Sequence, residues 1–172
     1  MLKRSILFLP EIEEDDWIHQ LRYQYDPLFS KIGPHVTVVF PFESDLKNDD
    51  IITHMKEVLR GITSFKVVFS GITGDWPSGY LFLNVKKGND QLIAIHDQLY
   101  QGILRPYLWW GHYLPHITVG QIGDYDIFQG ALEESRKNDQ SYKLEVRTIA
   151  LETIDQDENS TIEYIHYLDG RN

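Results

Sequence analysis

The segments Pro34-His35-Val36-Thr37-Val38 and Pro115-His116-Ile117-Thr118-Val119 are near-copies of one pattern. In an extended strand successive side chains point to opposite faces, so the histidine and the threonine of each copy share one face. The branched apolar residues of each copy share the other face, which favours burial in a core. The pattern therefore predicts two strands, each with a buried apolar back and a polar face that carries an imidazole and a hydroxyl.

The two copies have similar surroundings along the chain. Leu7-Phe8-Leu9 and Leu81-Phe82-Leu83 each precede a helical pattern, a proline-containing loop and one copy of the motif. This shared order indicates an internal duplication in which the loop lengths have diverged. Because equivalent places in two related halves can face each other across a cleft, we expect the two polar faces to meet.

Hydrophobic periodicity, prolines and glycines divide the chain into strands and helices. Strands are predicted at 4–9, 35–40, 65–72, 80–86 and 116–119, near 142–153 and at 161–168, with a hairpin turn at 155–160. Helices are predicted at 13–29, 49–60, 89–104 and 125–137. The first helix is expected to have an acidic first turn, and Asp49 and Asp50 are expected to supply the N-cap of the second.

Length, composition and charge exclude several classes of protein. A chain of 172 residues with 42% hydrophobic residues can bury a sizeable core within one domain or two tightly fused halves. The formal net charge of -10 disfavours extended nucleic-acid binding, although one small phosphorylated nucleotide or RNA end in a local pocket remains compatible. The chain has no cysteine, which excludes disulfides and thiolate nucleophiles. No apolar run approaches the roughly 20 residues of a membrane span, so we expect a cytoplasmic protein.

Paired histidines and threonines suit the hydrolysis of a phosphodiester. The reaction needs a nucleophile to lose a proton and a leaving oxygen to gain one. Histidine has an ordinary pKa of about 6.5, so one ring can be neutral while the other is charged. An imidazole and a hydroxyl about 7 Å apart on one strand can both reach oxygens of a single phosphate. This chemistry requires neither a metal ion nor another cofactor.

In these motifs the chain resembles the two-histidine (2H) phosphoesterase superfamily, whose signature is two His-x-Thr/Ser-x segments. The matching segments are His35-Val36-Thr37-Val38 and His116-Ile117-Thr118-Val119. The chain looks most similar to small phosphoesterases of Gram-positive bacteria, relatives of 2′-5′ RNA ligases and cyclic phosphodiesterases. The resemblance implies an α+β fold over residues 1–172. It has two pseudo-symmetric lobes, each with a small, mainly antiparallel sheet and outer helices, and a central cleft that carries both motifs.

The resemblance also implies a role for each motif residue. His35 is expected to be the proton donor and His116 the proton acceptor, while Thr37 and Thr118 bind phosphate. Typical substrates of the family are 2′,3′-cyclic phosphates of nucleotides or RNA ends. We therefore expect metal-independent hydrolysis of a cyclic or linear phosphodiester, in which His116 activates water and His35 protonates the leaving oxygen.

Three alternatives to hydrolysis remain open at the level of sequence. An enzyme resembling a 2′-5′ RNA ligase would run the reverse reaction with the same groups. A noncatalytic module would hold a phosphorylated nucleotide or RNA end in the cleft without turnover. In a purely structural β-rich domain, the repeated histidines would reflect ancestral duplication alone and would be buried away from a cleft.

Aromatic residues near the motifs are candidates for stacking on a nucleobase. Trp109, Trp110 and Tyr113 precede the second motif, and Phe42 follows the first. The alternative role for these rings is packing in the core or at a hinge.

A metal site is also conceivable from the spacing of the histidines. His112 and His116 lie four residues apart, as in a helical metal site, but Pro115 between them argues against a helix. We therefore predict no metal site.

Overall fold

Two four-stranded sheets form the framework of the computed structural model, which describes residues 2–109 and 111–170. The strands are β1 (Leu2–Phe8), β2 (Val36–Ser44), β3 (Phe65–Asp75), β4 (Tyr80–Lys87), β5 (His116–Gln121), β6 (Ser141–Val146), β7 (Thr148–Ile154) and β8 (Ser160–Tyr167). The α-helices in these ranges are α1 (Trp17–Tyr25), α2 (Asn48–Val58), α3 (Asn89–Leu99) and α4 (Tyr125–Arg136). None of the described helices is long and apolar enough to cross a membrane.

Both sheets have the same plan of strands. The first has the order β2-β1-β7-β8 and the second the order β5-β4-β3-β6, and neighbouring strands pair antiparallel. Helices α2 and α3 pack against the first sheet, and α1 and α4 pack against the second. The predicted α+β fold with two pseudo-symmetric antiparallel sheets is confirmed. Each sheet takes strands from both halves of the sequence, because β3 joins the second sheet and β7 and β8 return to the first.

The motif strands alternate as their sequence predicts. Val36, Val38, Ile117 and Val119 are fully buried. The histidine and the threonine of each motif are half-buried on the opposite face. Burying each aliphatic side chain contributes about 1.5–3 kcal/mol, so the apolar backs hold both strands against the core.

The first helix is shorter than predicted. It begins at Trp17 rather than at residue 13, because Asp16 is extended and its Oδ1 accepts a hydrogen bond of 2.8 Å from the Ile18 N–H. The expected acidic first turn was wrong, since the acidic residues precede the helix. The helix ends before Asp26, which is extended as expected for a residue that precedes proline.

Two other predicted helices differ in their ends. The N-cap residue of α2 is Lys47, without a side-chain hydrogen bond, and Asp49 and Asp50 lie in the first turn. The segment 89–104 contains α3 and the start of a 3₁₀ helix, Gly102–Tyr107. The α-helix ends at Leu99, and the extended backbone of Gln101 separates it from the 3₁₀ helix.

Side chains from the second half of the chain hold the free edge of β2. The Tyr113 hydroxyl donates to the Thr37 carbonyl at 2.8 Å, and Nδ1 of the buried His96 bonds to the Val38 carbonyl at 2.7 Å. The Tyr113 and His96 rings stack, with centroids 3.9 Å apart. Both β2 and β5 are edge strands, and they contact each other. These contacts bring the two motifs side by side.

A buried arginine organises the loop that leads to the first motif. The Arg22 side chain is 1% exposed, and its Nε donates to the Asp26 carboxylate at 2.7 Å. Its Nη2 donates to the Ile32 carbonyl at 2.8 Å, next to the residue whose carbonyl holds His35. Arg22 therefore connects the end of α1 to the backbone just before the motif.

Replacing Arg22 by methionine should destabilise the fold strongly, because the Asp26 carboxylate would remain buried without its partner. We expect the free energy of unfolding to fall by about 3–5 kcal/mol, measured by urea denaturation. Lys137→Met is the matched control, since the ion pair between Lys137 and Glu134 is exposed and its loss should change little. Equal effects of the two substitutions would contradict the role of Arg22.

Candidate functional site

The two motif histidines are held in the same way. Nδ1 of His35 bonds to the Gly33 carbonyl at 3.0 Å, and Nδ1 of His116 bonds to the Leu114 carbonyl at 2.6 Å. Because a carbonyl oxygen only accepts, each Nδ1 must carry the hydrogen. The neutral form of each ring therefore has its basic lone pair on Nε2, the atom that can take up or deliver a proton.

The structure places the four predicted catalytic and phosphate-binding residues together. His35 precedes β2, Thr37 lies within it, and His116 and Thr118 lie on the adjacent β5. Burial lowers the pKa of both histidines, and the positive charge of His35 lowers the pKa of His116 further. The charge of His35 thus acts on the protonation of His116.

Among the described residues, an aromatic ring lies against the imidazole of His116, and none lies against that of His35. The Phe82 ring on β4 lies against His116, with centroids 4.1 Å apart and planes at 47°. Phe82 is the direct cross-strand partner of Thr118. The equivalent partner of Thr37 is Leu7, which is buried. The duplication therefore leaves the two histidines in different surroundings.

A buried carboxylate acts on the first motif. Glu152 on β7 is 3% exposed and accepts hydrogen bonds from the hydroxyls of Ser5, at 2.5 Å, and Ser160. Burial is the largest influence on the pKa of His35 and lowers it. The Gly33 carbonyl and the negative charges of Glu152 and Asp26 raise this pKa, and the positive charge of Arg22 lowers it. The carboxylate thus favours the protonated form of His35.

The predicted nucleobase contacts differ in how exposed the structure leaves them. Phe42 is buried and packs on Tyr107, with centroids 4.8 Å apart, a position that favours the core-packing alternative. Tyr113 has one face against His96, and its burial raises the pKa of the hydroxyl. Its position likewise favours packing.

Of the two tryptophans before the second motif, the structure describes Trp109. Trp109 is 55% exposed and lies 5.3 Å from Phe40, between ring centroids. Base stacking by Trp109 stays a prediction. Trp110 lies outside the described residues.

The histidine pair at positions 112 and 116 does not have the geometry of a helical metal site. The described segment 111–115 is not helical, so the spacing of four residues does not align the two rings on one face. Within residues 2–109 and 111–170, no group of three or more His, Asp or Glu side chains is arranged to hold a metal ion.

Several residues around the motifs were missed at the level of sequence. Phe82 could have been found, because Tyr80, Phe82 and Asn84 alternate with buried aliphatic residues in β4. Glu152 is a carboxylate that directly follows the apolar run 149–151, which is a weak signal. Nothing in the sequence indicated that Arg22 is important, because its contact with the Ile32 carbonyl depends on how the loop after α1 folds back.

The comparison with protein families shows to which family the chain belongs. The family model of the 2′-5′ RNA ligase superfamily matches residues 8–158. The chain belongs to this superfamily. The resemblance to 2H phosphoesterases that the paired motifs indicated is thereby confirmed, and the chain is an enzyme of the phosphoesterase type.

Similar proteins agree with this assignment. A protein of Bacillus licheniformis named "Putative phosphoesterase" is 23% identical over 143 residues, which cover 83% of this chain and 84% of that protein. One of Geobacillus kaustophilus with the same description is 29% identical over 127 residues, covering 70% and 69%.

Solved structures share the fold at low sequence identity. A Thermus thermophilus protein superposes with a TM-score of 0.68 at 15% identity, and the match covers 100% of both chains. E. coli LigT complexed with 3′-AMP gives a TM-score of 0.61 at 12% identity over 96% of this chain and 98% of LigT. These similarities support the fold.

The lowered histidine pKa values make stability depend on pH. Burial lowers the pKa of His35, His96 and His116, so the unfolded chain binds these protons near pH 6.5 and the folded chain only at lower pH. The free energy of unfolding should therefore fall as pH decreases through this window.

Urea denaturation at about pH 7.5 and about pH 5.5 measures this dependence. His35→Asn should reduce the difference between the two pH values, because one of the shifted groups is removed. A free energy of unfolding that is the same at both values would contradict the expectation.

Proposed function

We propose that this phosphoesterase hydrolyses a cyclic or linear phosphodiester, of the kind found in 2′,3′-cyclic nucleotides and at RNA ends, without a metal ion. The supporting observation is the pair of imidazoles anchored through Nδ1, one on each of two adjacent strands, with a threonine hydroxyl beside each. Since the site takes one motif from each sheet, we also propose that residues 1–172 act as one bilobal unit.

The surroundings of the histidines support a division of roles. Two like charges at this proximity repel, so the pair takes up a first proton more readily than a second. The Glu152 carboxylate favours that proton on His35. Burial and the positive charge of His35 favour the neutral form of His116. His35 is therefore the proton donor and His116 the proton acceptor.

The reaction follows from these protonation states. Nε2 of His116 takes a proton from water as the water oxygen bonds to phosphorus. Nε2 of His35 gives its proton to the ribose oxygen as the bond from that oxygen to phosphorus breaks. The hydroxyls of Thr37 and Thr118 donate hydrogen bonds to the non-bridging oxygens. A cyclic phosphate is thereby opened to a monoester, and exchange of protons with solvent restores the starting state.

A small nucleotide ligand is supported by the structural relatives. E. coli LigT has been crystallised with ATP, NADP⁺, 3′-AMP and phosphate. The net charge of -10 disfavours a long polyanion at this surface. The proposed partner is accordingly one phosphorylated nucleotide or RNA end. The reverse, ligase-like reaction would use the same four residues.

His35→Ala and His116→Ala should each reduce kcat on 2′,3′-cyclic AMP by about 10²- to 10⁴-fold, because each removes one proton transfer. Product formation in the presence of EDTA is the measurement. His112→Ala, which replaces an exposed histidine outside the motifs, is the control and should retain activity. Turnover like that of the wild type in either motif variant would contradict the mechanism, and nucleotide binding without product would favour the noncatalytic module.

Glu152→Gln should shift only one limb of the pH profile of kcat/KM. Activity declines as pH rises through the pKa of His35, and removing the negative charge of Glu152 lowers that pKa. The basic limb should therefore move to lower pH while the acidic limb changes little. Glu163→Gln, an exposed carboxylate on the neighbouring strand β8, is the matched control. Identical basic limbs in wild type and Glu152→Gln would contradict the assignment of His35 as the acid.

A further inference from the structure

The two sheets differ in how much of the motif-bearing face is open. In the first sheet, Ser5, Leu7, Ala150 and Glu152 share the face of Thr37 and are at most 3% exposed. In the second sheet, the residues of β4 that share the face of Thr118 are half-buried: Tyr80, Phe82 and Asn84. Beyond the motifs themselves, the surface that a ligand can reach therefore lies on the second sheet.

An aromatic row on this open face starts at the proposed general base. Phe82 lies against His116, and Tyr80 follows two residues away on the same face of β4. The Tyr80 and Phe82 rings are nearly parallel, at 15°, with centroids 5.8 Å apart, which is an offset arrangement. The row His116, Phe82, Tyr80 thus extends along β4 away from the motif.

The duplication does not require this row. In β1 the positions equivalent to Phe82 and Tyr80, counted from the partner of the motif threonine, are Leu7 and Ser5. Neither is aromatic and both are buried. The aromatic row is therefore present in the second sheet and absent at the equivalent positions of the first.

The polar neighbour of the row, Asn84, is held toward β3 by two hydrogen bonds, which use two of its four hydrogen-bonding positions. Nδ2 of Asn84 donates to the Gly71 carbonyl at 2.8 Å, and its Oδ1 accepts from the Thr73 hydroxyl at 3.1 Å. Recognition along β4 therefore depends mainly on ring surfaces. An aromatic platform of this kind stacks on any nucleobase, because every base has a π face.

We propose that Tyr80 and Phe82 form a platform for the nucleobase of the substrate, on the His116 side of the scissile phosphate. The proposal rests on the proposed function and narrows it, since it makes the substrate a nucleoside phosphodiester. Phe82 stands directly opposite Thr118, about 5 Å away, and Tyr80 lies about 7 Å further along the strand. A phosphate at Thr118 therefore leaves room for a ribose before the base reaches Tyr80.

The test compares two substrates that have the same five-membered cyclic phosphate, 2′,3′-cyclic AMP and glycerol 1,2-cyclic phosphate. Tyr80→Leu should raise KM for the nucleotide by about 5- to 150-fold, the range expected for loss of one base stack, with little change in kcat. Its kinetics with the glycerol compound should match those of the wild type. Tyr80→Phe keeps the ring and should behave like the wild type with both substrates.

Tyr23 is an exposed tyrosine on α1, and Tyr23→Leu is the matched control, which should leave KM unchanged for both substrates. If Tyr80→Leu changes KM equally for both substrates, or for neither, the proposed platform is wrong. A wild-type protein that turns over neither substrate would instead overturn the proposed function. Calorimetric titration then tests the platform separately, because Tyr80→Leu should weaken binding of 3′-AMP and leave binding of inorganic phosphate unchanged.

Discussion

Contact between the edge strands β2 and β5 is the constraint on which the site depends, because each strand alone supplies one imidazole and one hydroxyl. A single motif could bind phosphate, but its one imidazole could not act as base and acid at the same time in one displacement. The stack of His96 on Tyr113, with its hydrogen bonds to the Val38 and Thr37 carbonyls, gives the free edge of β2 partners from the other half of the chain. Because β3 lies in the second sheet and β7 and β8 lie in the first, each sheet contains strands from both halves of the sequence.

On this two-fold scaffold, the chemistry comes from asymmetry. Both imidazoles are anchored identically through Nδ1, so the anchors alone do not distinguish an acid from a base. The proposed distinction rests on a neighbour that the duplication did not preserve, the buried carboxylate of Glu152, whose charge acts on His35. The same asymmetry leaves one sheet open to a ligand and the other covered. A duplicated scaffold can thus support an ordered reaction because the residues around its two histidines have diverged.

Much of the secondary structure could be predicted because its signals are local. The motif strands, the apolar faces and the turn at 155–160 follow from period-two alternation and turn residues. The ends of helices were less predictable. Asp16 rather than an earlier acidic residue caps α1, and the extended Gln101 follows the end of the helix that was predicted to reach residue 104. Caps and breaks depend on the φ and ψ angles of single residues, which compete with several neighbours for the same role.

The sequence by itself determined which side chains share a face in each motif, because alternation along a strand ties His35 to Thr37 and His116 to Thr118 whatever the rest of the chain does. It also determined the duplication and the α+β class. Only the tertiary structure decided which residues surround the two rings, since Arg22, Glu152 and Phe82 reach the motifs through loop paths and strand pairings that join distant segments. Strand order across two sheets depends on packing of the whole chain, and no local pattern encodes it.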